Sequence, residues 1–141
     1  NYSNILDNYI DGGGVPIKWE NNSRFTKVIG NRVFNFTFIG IMGHSTSTGN
    51  DIDGAQVMYN YVEMNNTGSV FGIELGSFVT NNPIGDRPQG LVVVGNLVRA
   101  TVTPTPEVTG GFSFDSVRTI TITGNYTTAD GYGLKKSTAS I

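Results

Sequence analysis

The sequence predicts an all-β coil, in which a short strand motif repeats about five times along 141 residues. A strand that ends in asparagine recurs from one end of the chain to the other, and a glycine-apolar pair follows each copy at a variable distance. The composition agrees, because the chain has 19 glycines and no amphipathic helix of useful length. Together these observations favour a solenoid of β-strands over a helical repeat.

The first motif is an apolar strand with an asparagine corner. Its clearest copy is 93–98, and weaker copies lie at 5–10, 28–33, 57–62 and 122–127. Counted from the asparagine, the residues three before and two after are nearly all β-branched, as expected for a packed pleated surface. Successive copies are 23, 29, 36 and 29 residues apart, so loops of different length are inserted. The five corner residues are Asn8, Asn31, Asn60, Asn96 and Asn125.

The second motif begins each later strand with glycine and an apolar residue. Each copy therefore predicts a strand, a corner, a variable loop and a second strand, which is one turn of a coil. If the turns stack, equivalent strands run parallel about 4.8 Å apart, and the asparagines form a hydrogen-bonded column. Ordinary turn asparagines are the alternative. The five second-strand starts are Gly14, Gly40, Gly72, Gly111 and Gly133.

The second strands are predicted in order along the chain, at 17–20, 39–44, 71–75, 112–115 and from 134. The residue at 136 is lysine, whereas coils one, three and four have Trp19, Leu75 and Phe114 there, so the stacking is expected to loosen in coil five. No capping helix is visible at either end. Residues 1–141 are expected to form one domain, cut from a longer chain because Asn1 is not methionine.

The charge and composition exclude several function classes. A net charge of −2 and a pI of 5.2 give no reason to expect nucleic acid or an acidic membrane as partner. No membrane span is visible, and no cofactor is expected. The chain has no cysteine and one histidine, which excludes cysteine-ligated and histidine-rich metal sites. Asp51 and Asp53 resemble part of a Ca²⁺ loop, but the full pattern is absent, so turn residues are expected.

The repeat, best preserved at 28–33, 91–98 and 120–125, resembles the right-handed parallel β-helix of the pectate-lyase-like superfamily. That superfamily includes pectin-active enzymes, alginate epimerases and lyases, and bacteriophage tailspikes. The resemblance covers essentially the whole chain and is specific for architecture rather than activity. Among these relatives we favour a tailspike body or receptor-binding section. Such a protein would be located in the virion tail or outside the cell.

The residue two before each asparagine should point outward by strand alternation, yet it is apolar in four coils: Leu6, Ile29, Met58 and Val94. An exposed apolar stripe along a solenoid indicates an interaction face, and a covering loop is the alternative. Tailspike-like proteins bury such a face by trimerising. The stripe therefore predicts a homotrimer.

Alternation also predicts an outward face on the second strands, with Lys18, Glu74 and Lys135 in one column and Glu20, His44 and Asp115 in another. Glu74 is diagonal to Asp115 on the next coil, at roughly 5 to 8 Å. Glycoside hydrolysis uses two carboxylates at such a separation. The loops after His44, Gly76 and Arg99 are expected to wall this face into a glycan groove.

We therefore expect a bacterial surface polysaccharide, O-antigen or capsule, as ligand. If the chain is an enzyme, the candidate catalytic residues are Glu74, Asp115 and then Glu20. The candidate binding residues are His44, Lys18 and Trp19, where Trp19 offers a stacking platform only if it turns outward from its expected core position. Solvated surface carboxylates are the alternative to a catalytic pair.

Other functional classes stay open. A pectin- or alginate-active lyase would use a lysine base, for which Lys18 and Lys135 are candidates, and often Ca²⁺. A non-catalytic glycan-binding module, a structural shaft and a monomeric bacterial adhesin passenger are the remaining alternatives.

Overall fold

The structure is a computed structural model that describes residues 2–46, 52–77, 79, 83–102, 110–128 and 132–137, the last of these for the backbone. The chain is all-β in this part, apart from one short 3₁₀ helix at Ile84–Asp86. Fifteen strands form three parallel sheets of five. The described residues contain no helix long and apolar enough to span a membrane.

Every third strand belongs to the same sheet, so each coil gives one strand to each sheet. The first sheet contains β1 (Asn4–Leu6), β4 (Lys27–Ile29), β7 (Gln56–Met58), β10 (Leu91–Val94) and β13 (Ile120–Thr123). The second contains β2 (Tyr9–Asp11), β5 (Arg32–Phe34), β8 (Tyr61–Met64), β11 (Leu97–Ala100) and β14 (Tyr126–Thr127). The third contains β3 (Ile17–Glu20), β6 (Ile39–Ser45), β9 (Phe71–Ser77), β12 (Gly110–Asp115) and β15 (Tyr132–Ser137).

This topology is compatible with a β-helix or similar solenoid, as the sequence repeats predicted. Each coil has three strands, so the prediction of two strands per coil was wrong by one. The residues after each asparagine form a separate strand on the second sheet, rather than the start of a loop. Three short strands enclose an interior that two strands alone would leave open.

The corner between the first and second sheets depends on one left-handed residue. The residue just before each asparagine has φ between 53° and 71°, and it is glycine in three coils. This conformation turns the chain sharply and is open to glycine without steric strain. The five positions are Asp7, Gly30, Tyr59, Gly95 and Gly124.

The asparagines form the predicted ladder. The Nδ2 of each one donates to the Oδ1 of the next, at 2.9, 3.0, 2.9 and 2.8 Å along the chain. The backbone N–H of each of the first four donates to the same oxygen. Asn60, in the middle, is buried, and its Nδ2 also donates to the Val28 carbonyl. The amides thus pair the polar groups that the corners bring into the interior.

The interior is one continuous hydrophobic core. The first sheet contributes Val28, Val57 and Val93 in register, and the second contributes Val33, Val62 and Val98. Trp19 and Phe114 belong to the same cluster. Stacked apolar side chains of neighbouring coils therefore stabilise the coil along its length.

In three coils, the motif glycine beside the third sheet has no room for a side chain: Gly40, Gly72 and Gly111. A Cβ added to Gly40 would lie 2.6 Å from Val62 Cγ1 and 2.8 Å from the Gly72 carbonyl oxygen. A Cβ on Gly72 would lie 2.9 Å from the Gly111 carbonyl oxygen and would also overlap Val98. The glycine-apolar motif thus marks where the third sheet packs closely on the second.

Candidate functional site

The candidate site is the outer face of the third sheet. Its register is the one that the sequence predicted: Glu20 pairs with His44, His44 with Gly76, and Gly76 with Asp115. In the neighbouring column, Lys18 pairs with Met42, Met42 with Glu74, Glu74 with Ser113, and Ser113 with Lys135. Parallel stacking therefore brings the predicted acidic and basic residues of four coils onto one face.

The exposure of this face differs from the expectation. The prediction was an outward face forming a groove between loops, with solvated carboxylates as the alternative, but β6 and β9 are buried at every residue. Met42 packs outside the main core with Ile39, Phe71, Val15 and Val70. The loops that were expected to wall the face fall largely outside the described residues, at 47–51, 78, 80–82 and 103–109. In this structure the middle of the face is a second, sheltered layer rather than an open groove.

His44 and Glu74 are the two ionisable residues brought together in that layer. His44 Nε2 lies 3.7 Å from Glu74 Oε2, and the side chains are 1% and 8% exposed. Burial, with a smaller contribution from the Lys18 ammonium, lowers the pKa of His44 to about 3. An ionised carboxylate nearby would favour the imidazolium, but at 3.7 Å it is beyond hydrogen-bond length, so burial dominates. The imidazole is therefore neutral at pH 7.

The other site residues lie nearer to solvent. Lys18 and Glu20, on coil one, form an ion pair of 2.8 Å between side chains that are 45% and 35% exposed. Asp115, on coil four, is half-buried, and its Oδ1 accepts a hydrogen bond of 3.2 Å from Ser116. The exposed ends of the face thus offer ammonium and carboxylate groups to a ligand.

Trp19 does not lie on this face. Its indole is buried in the main core and covers Gly43 of the next coil, where an added Cβ would overlap the ring. Trp19 therefore offers no stacking platform for a ligand in this structure. Its expected position in the core is confirmed. The inward side of the strand holds it there because Ile17 and Trp19 alternate with Lys18 and Glu20.

The side chains on this face can supply hydrogen bonds and carboxylate groups. Catalysis would also require a glycan to reach those carboxylates. Glu74 points to His44 on coil two, while Asp115 belongs to coil four. A glycan must contact both carboxylates for acid-base hydrolysis, and the side chain of Glu74 is covered in this conformation. The catalytic pair therefore stays a prediction. Among the described residues, no three His, Cys, Asp or Glu side chains form a group able to hold a metal ion.

Asp53 lies in a turn, as predicted, where its Oδ1 accepts a hydrogen bond of 2.9 Å from the backbone N–H of Gln89. Asp51 lies outside the described residues. The side chain of Lys135, a candidate lyase base, is outside them as well, although its backbone continues the Lys18 column.

One surface was not predicted: an aromatic row on the outer side of the second sheet, formed by Tyr9, Phe34 and Tyr61. The residue after each asparagine points outward there because the residue after that is in the core. In three of the five coils it is tyrosine: Tyr9, Tyr61 and Tyr126. The recurrence of tyrosine directly after the asparagine was the sequence pattern from which an outward aromatic surface could have been predicted.

No family model matches the chain, and no curated protein or solved structure is significantly similar to it.

Proposed function

We propose that the chain is a section of a right-handed parallel β-helix, similar to a bacteriophage tailspike body, that binds a bacterial surface polysaccharide. The binding face is the outer face of the third sheet. Its polar groups extend over four coils, about 14 Å at the spacing of parallel strands. That length suits a short segment of a glycan chain.

The observation that carries this proposal is the buried His44–Glu74 pair. The two side chains lie on the outward side of β6 and β9, because the alternate residues Ile41, Ile73 and Leu75 face the core. Removing an imidazole and a carboxyl group from water is unfavourable, and apolar side chains would fill the same space at lower cost. Sheltered ionisable groups at such a position favour a binding or catalytic role.

The proposed roles follow from position. Lys18 and Glu20 bind sugar hydroxyl groups at the coil-one end, and His44 accepts or donates one hydrogen bond as a neutral imidazole. If the face also hydrolyses its ligand, Glu74 and Asp115 act as the carboxylate pair, with Glu20 as the alternative acid. Hydrolysis then requires the Glu74 carboxyl group, which is 8% exposed in the single chain, to become accessible to the glycan.

The test is binding and reducing-sugar release with purified lipopolysaccharide and capsular polysaccharide. Glu20→Gln, Glu74→Gln and Asp115→Asn are compared with wild type, and Asp7→Asn, at a coil corner away from this face, is the matched control. Product release that Glu74→Gln or Asp115→Asn abolishes indicates a hydrolase. Binding without product indicates a binding module. If no bacterial polysaccharide binds to the wild type, the proposal is rejected.

A structural shaft is the second candidate. It is favoured by the asparagine ladder, which extends through all five coils without interruption. Such a ladder stabilises the register between neighbouring coils, whether or not the outer faces bind a ligand. Absence of glycan binding by an intact, folded chain would favour this function.

We also propose that three copies associate through the apolar stripe on the first sheet. Leu6 is 46% exposed, and Ile29, Met58 and Val94 are each half-buried in the single chain. A continuous apolar strip along four coils is the kind of surface that oligomers bury. A virion-tail or extracellular location is part of the same proposal and rests on the tailspike resemblance.

A further inference from the structure

The second sheet carries an aromatic row along its outer surface, on a different sheet from the proposed polysaccharide face. The Tyr9 and Phe34 ring centroids are 5.1 Å apart, and those of Phe34 and Tyr61 are 5.5 Å apart. The rings are tilted by 32° and 44° rather than stacked flat. Tyr9 is 68% exposed, and the other two rings are half-buried. Three neighbouring coils thus present ring surface to solvent.

A shallow depression of about 370 Å³ lies in this row, lined by Arg32, Phe34 and Tyr61. This volume is at the small end of ligand sites in proteins. Two of the three lining residues are aromatic, and the third is an arginine. The lining of the depression therefore combines apolar ring surface with a cation.

The acidic side chains of Glu63 and Asp11 near this row accept hydrogen bonds from neighbouring side chains. The Tyr61 hydroxyl donates a hydrogen bond of 2.5 Å to Glu63 Oε2, and this bond raises the pKa of Tyr61. Asp11 accepts a hydrogen bond from the Asn35 amide. Arg32 is exposed, and within the described part of the chain its guanidinium makes no ion pair or side-chain hydrogen bond. It is thus available to an external anion.

We propose that this depression binds an acidic saccharide: a sugar ring packs on Phe34 and Tyr61 while its carboxylate pairs with Arg32. A guanidinium binds a carboxylate through two parallel hydrogen bonds, which fixes the orientation of the planar group. The face of a sugar ring is formed by C–H groups and packs well on aromatic rings. One sugar with a ring face and a carboxylate satisfies both features, whereas a neutral sugar leaves Arg32 unused.

The site does not depend on the third sheet. It is formed by β5 and β8, where the inward Val33 and Val62 keep the outward residues in place. The chain can therefore lack any activity on the third sheet and still bind here.

The test is titration calorimetry with a glucuronic acid trisaccharide and with its methyl ester, which keeps the rings but removes the charges. We expect the acid to bind with at least about 10-fold higher affinity than the ester, and the binding to weaken with added salt. Arg32→Gln should reduce affinity for the acid about 10-fold or more, and Phe34→Ala should reduce affinity for both forms. Arg118→Gln removes another exposed arginine, outside the second and third sheets, and this control should leave binding unchanged.

Three results would overturn the proposal. Equal affinity for acid and ester would show that the carboxylate is not recognised. Loss of binding in Glu20→Gln but not in Arg32→Gln would place the ligand on the third sheet. A change of oligomeric mass in Phe34→Ala, with no saccharide binding by the wild type, would identify the row as a protein contact. Thermal unfolding of Arg32→Gln checks its fold, and this exposed position should leave the midpoint unchanged.

Discussion

Asn60 is the middle residue of the asparagine ladder, and its side chain makes four buried hydrogen bonds. Its Oδ1 accepts from the backbone N–H and the Nδ2 of Asn31, and its own Nδ2 donates to Asn96 Oδ1 and to the Val28 carbonyl. Carbonyl and N–H groups at a buried corner have no water to replace these bonds. The amide is therefore required by its surroundings on both neighbouring coils.

Replacement of Asn60 by Ala should destabilise the fold by about 2 to 4 kcal/mol because buried donors and acceptors on both neighbouring coils lose their partner. Asn8→Ala is the matched control: it removes an exposed end of the same ladder and should have an effect of about 1 kcal/mol or less. Urea unfolding monitored by Trp19 fluorescence measures both. Equal losses at the two positions would contradict a role for the buried ladder.

His44 makes stability depend on pH. The unfolded imidazole titrates near 6.5, and the folded one near 3, so the unfolded state binds more protons between these values. Stability is thus fully present above pH 6.5 and is lost as the pH falls toward 3. The His44 contribution should decline by about 2 kcal/mol between pH 7 and pH 5.

The measurement is the free energy of unfolding of wild type and His44→Gln at pH 7 and at pH 5. Carboxyl groups titrate in both proteins, so the difference between the two pH dependences isolates the histidine. The variant should lose less stability than wild type on acidification. Parallel pH dependences would show that His44 is solvated and contradict its sheltered position.

At the scale of the strands, close packing between sheets sets the strictest demand on sequence. Gly72 begins the part of β9 that passes near the Gly111 carbonyl and Val98. Neither neighbour is the free end of a flexible side chain, so little adjustment is open to an extra methyl group. The glycine of this motif is therefore a packing requirement in the three coils that contain Gly40, Gly72 and Gly111.

We expect Gly72→Ala to destabilise the chain by about 2 to 3 kcal/mol. Gly85→Ala is the control, since its added Cβ would have no atom within 4 Å, and it should change stability by less than about 1 kcal/mol. Thermal and urea unfolding of the two variants give the comparison. A tolerated alanine at position 72 would show that the third sheet is packed more loosely on its neighbours than described here.

The strands also show where pattern reasoning succeeds and fails. The register of β3, β6, β9 and β12 was predicted residue by residue, because inward apolar positions of period two allow only one alignment. The separate strand after each asparagine was missed because it is only two to four residues long and carries a polar or aromatic outer face. So short a strand is fixed by its neighbours in the sheet rather than by its own sequence.

For the whole molecule, the apolar stripe on the first sheet is the feature with the largest consequence. If it is a subunit contact, wild type should have the mass of a trimer by light scattering. Met58→Asp together with Val94→Asp should give a monomer because charges would be buried in an apolar interface. Arg118→Asp is the control, because Arg118 is an exposed residue that precedes β13 in coil five. This variant should remain a trimer. A monomeric wild type would refute the assembly.

The number of coils, their parallel stacking and the asparagine ladder could be read from the residue pattern, because each coil repeats the same local chemistry. The burial of the third sheet's outer face, the approach of Glu74 to His44, and the aromatic row beside Arg32 could not. These depend on which side chains meet between stacked coils that repeat at unequal intervals along the chain. A repeat fixes what its copies share, whereas the contacts that distinguish one face from another exist only once the copies are stacked.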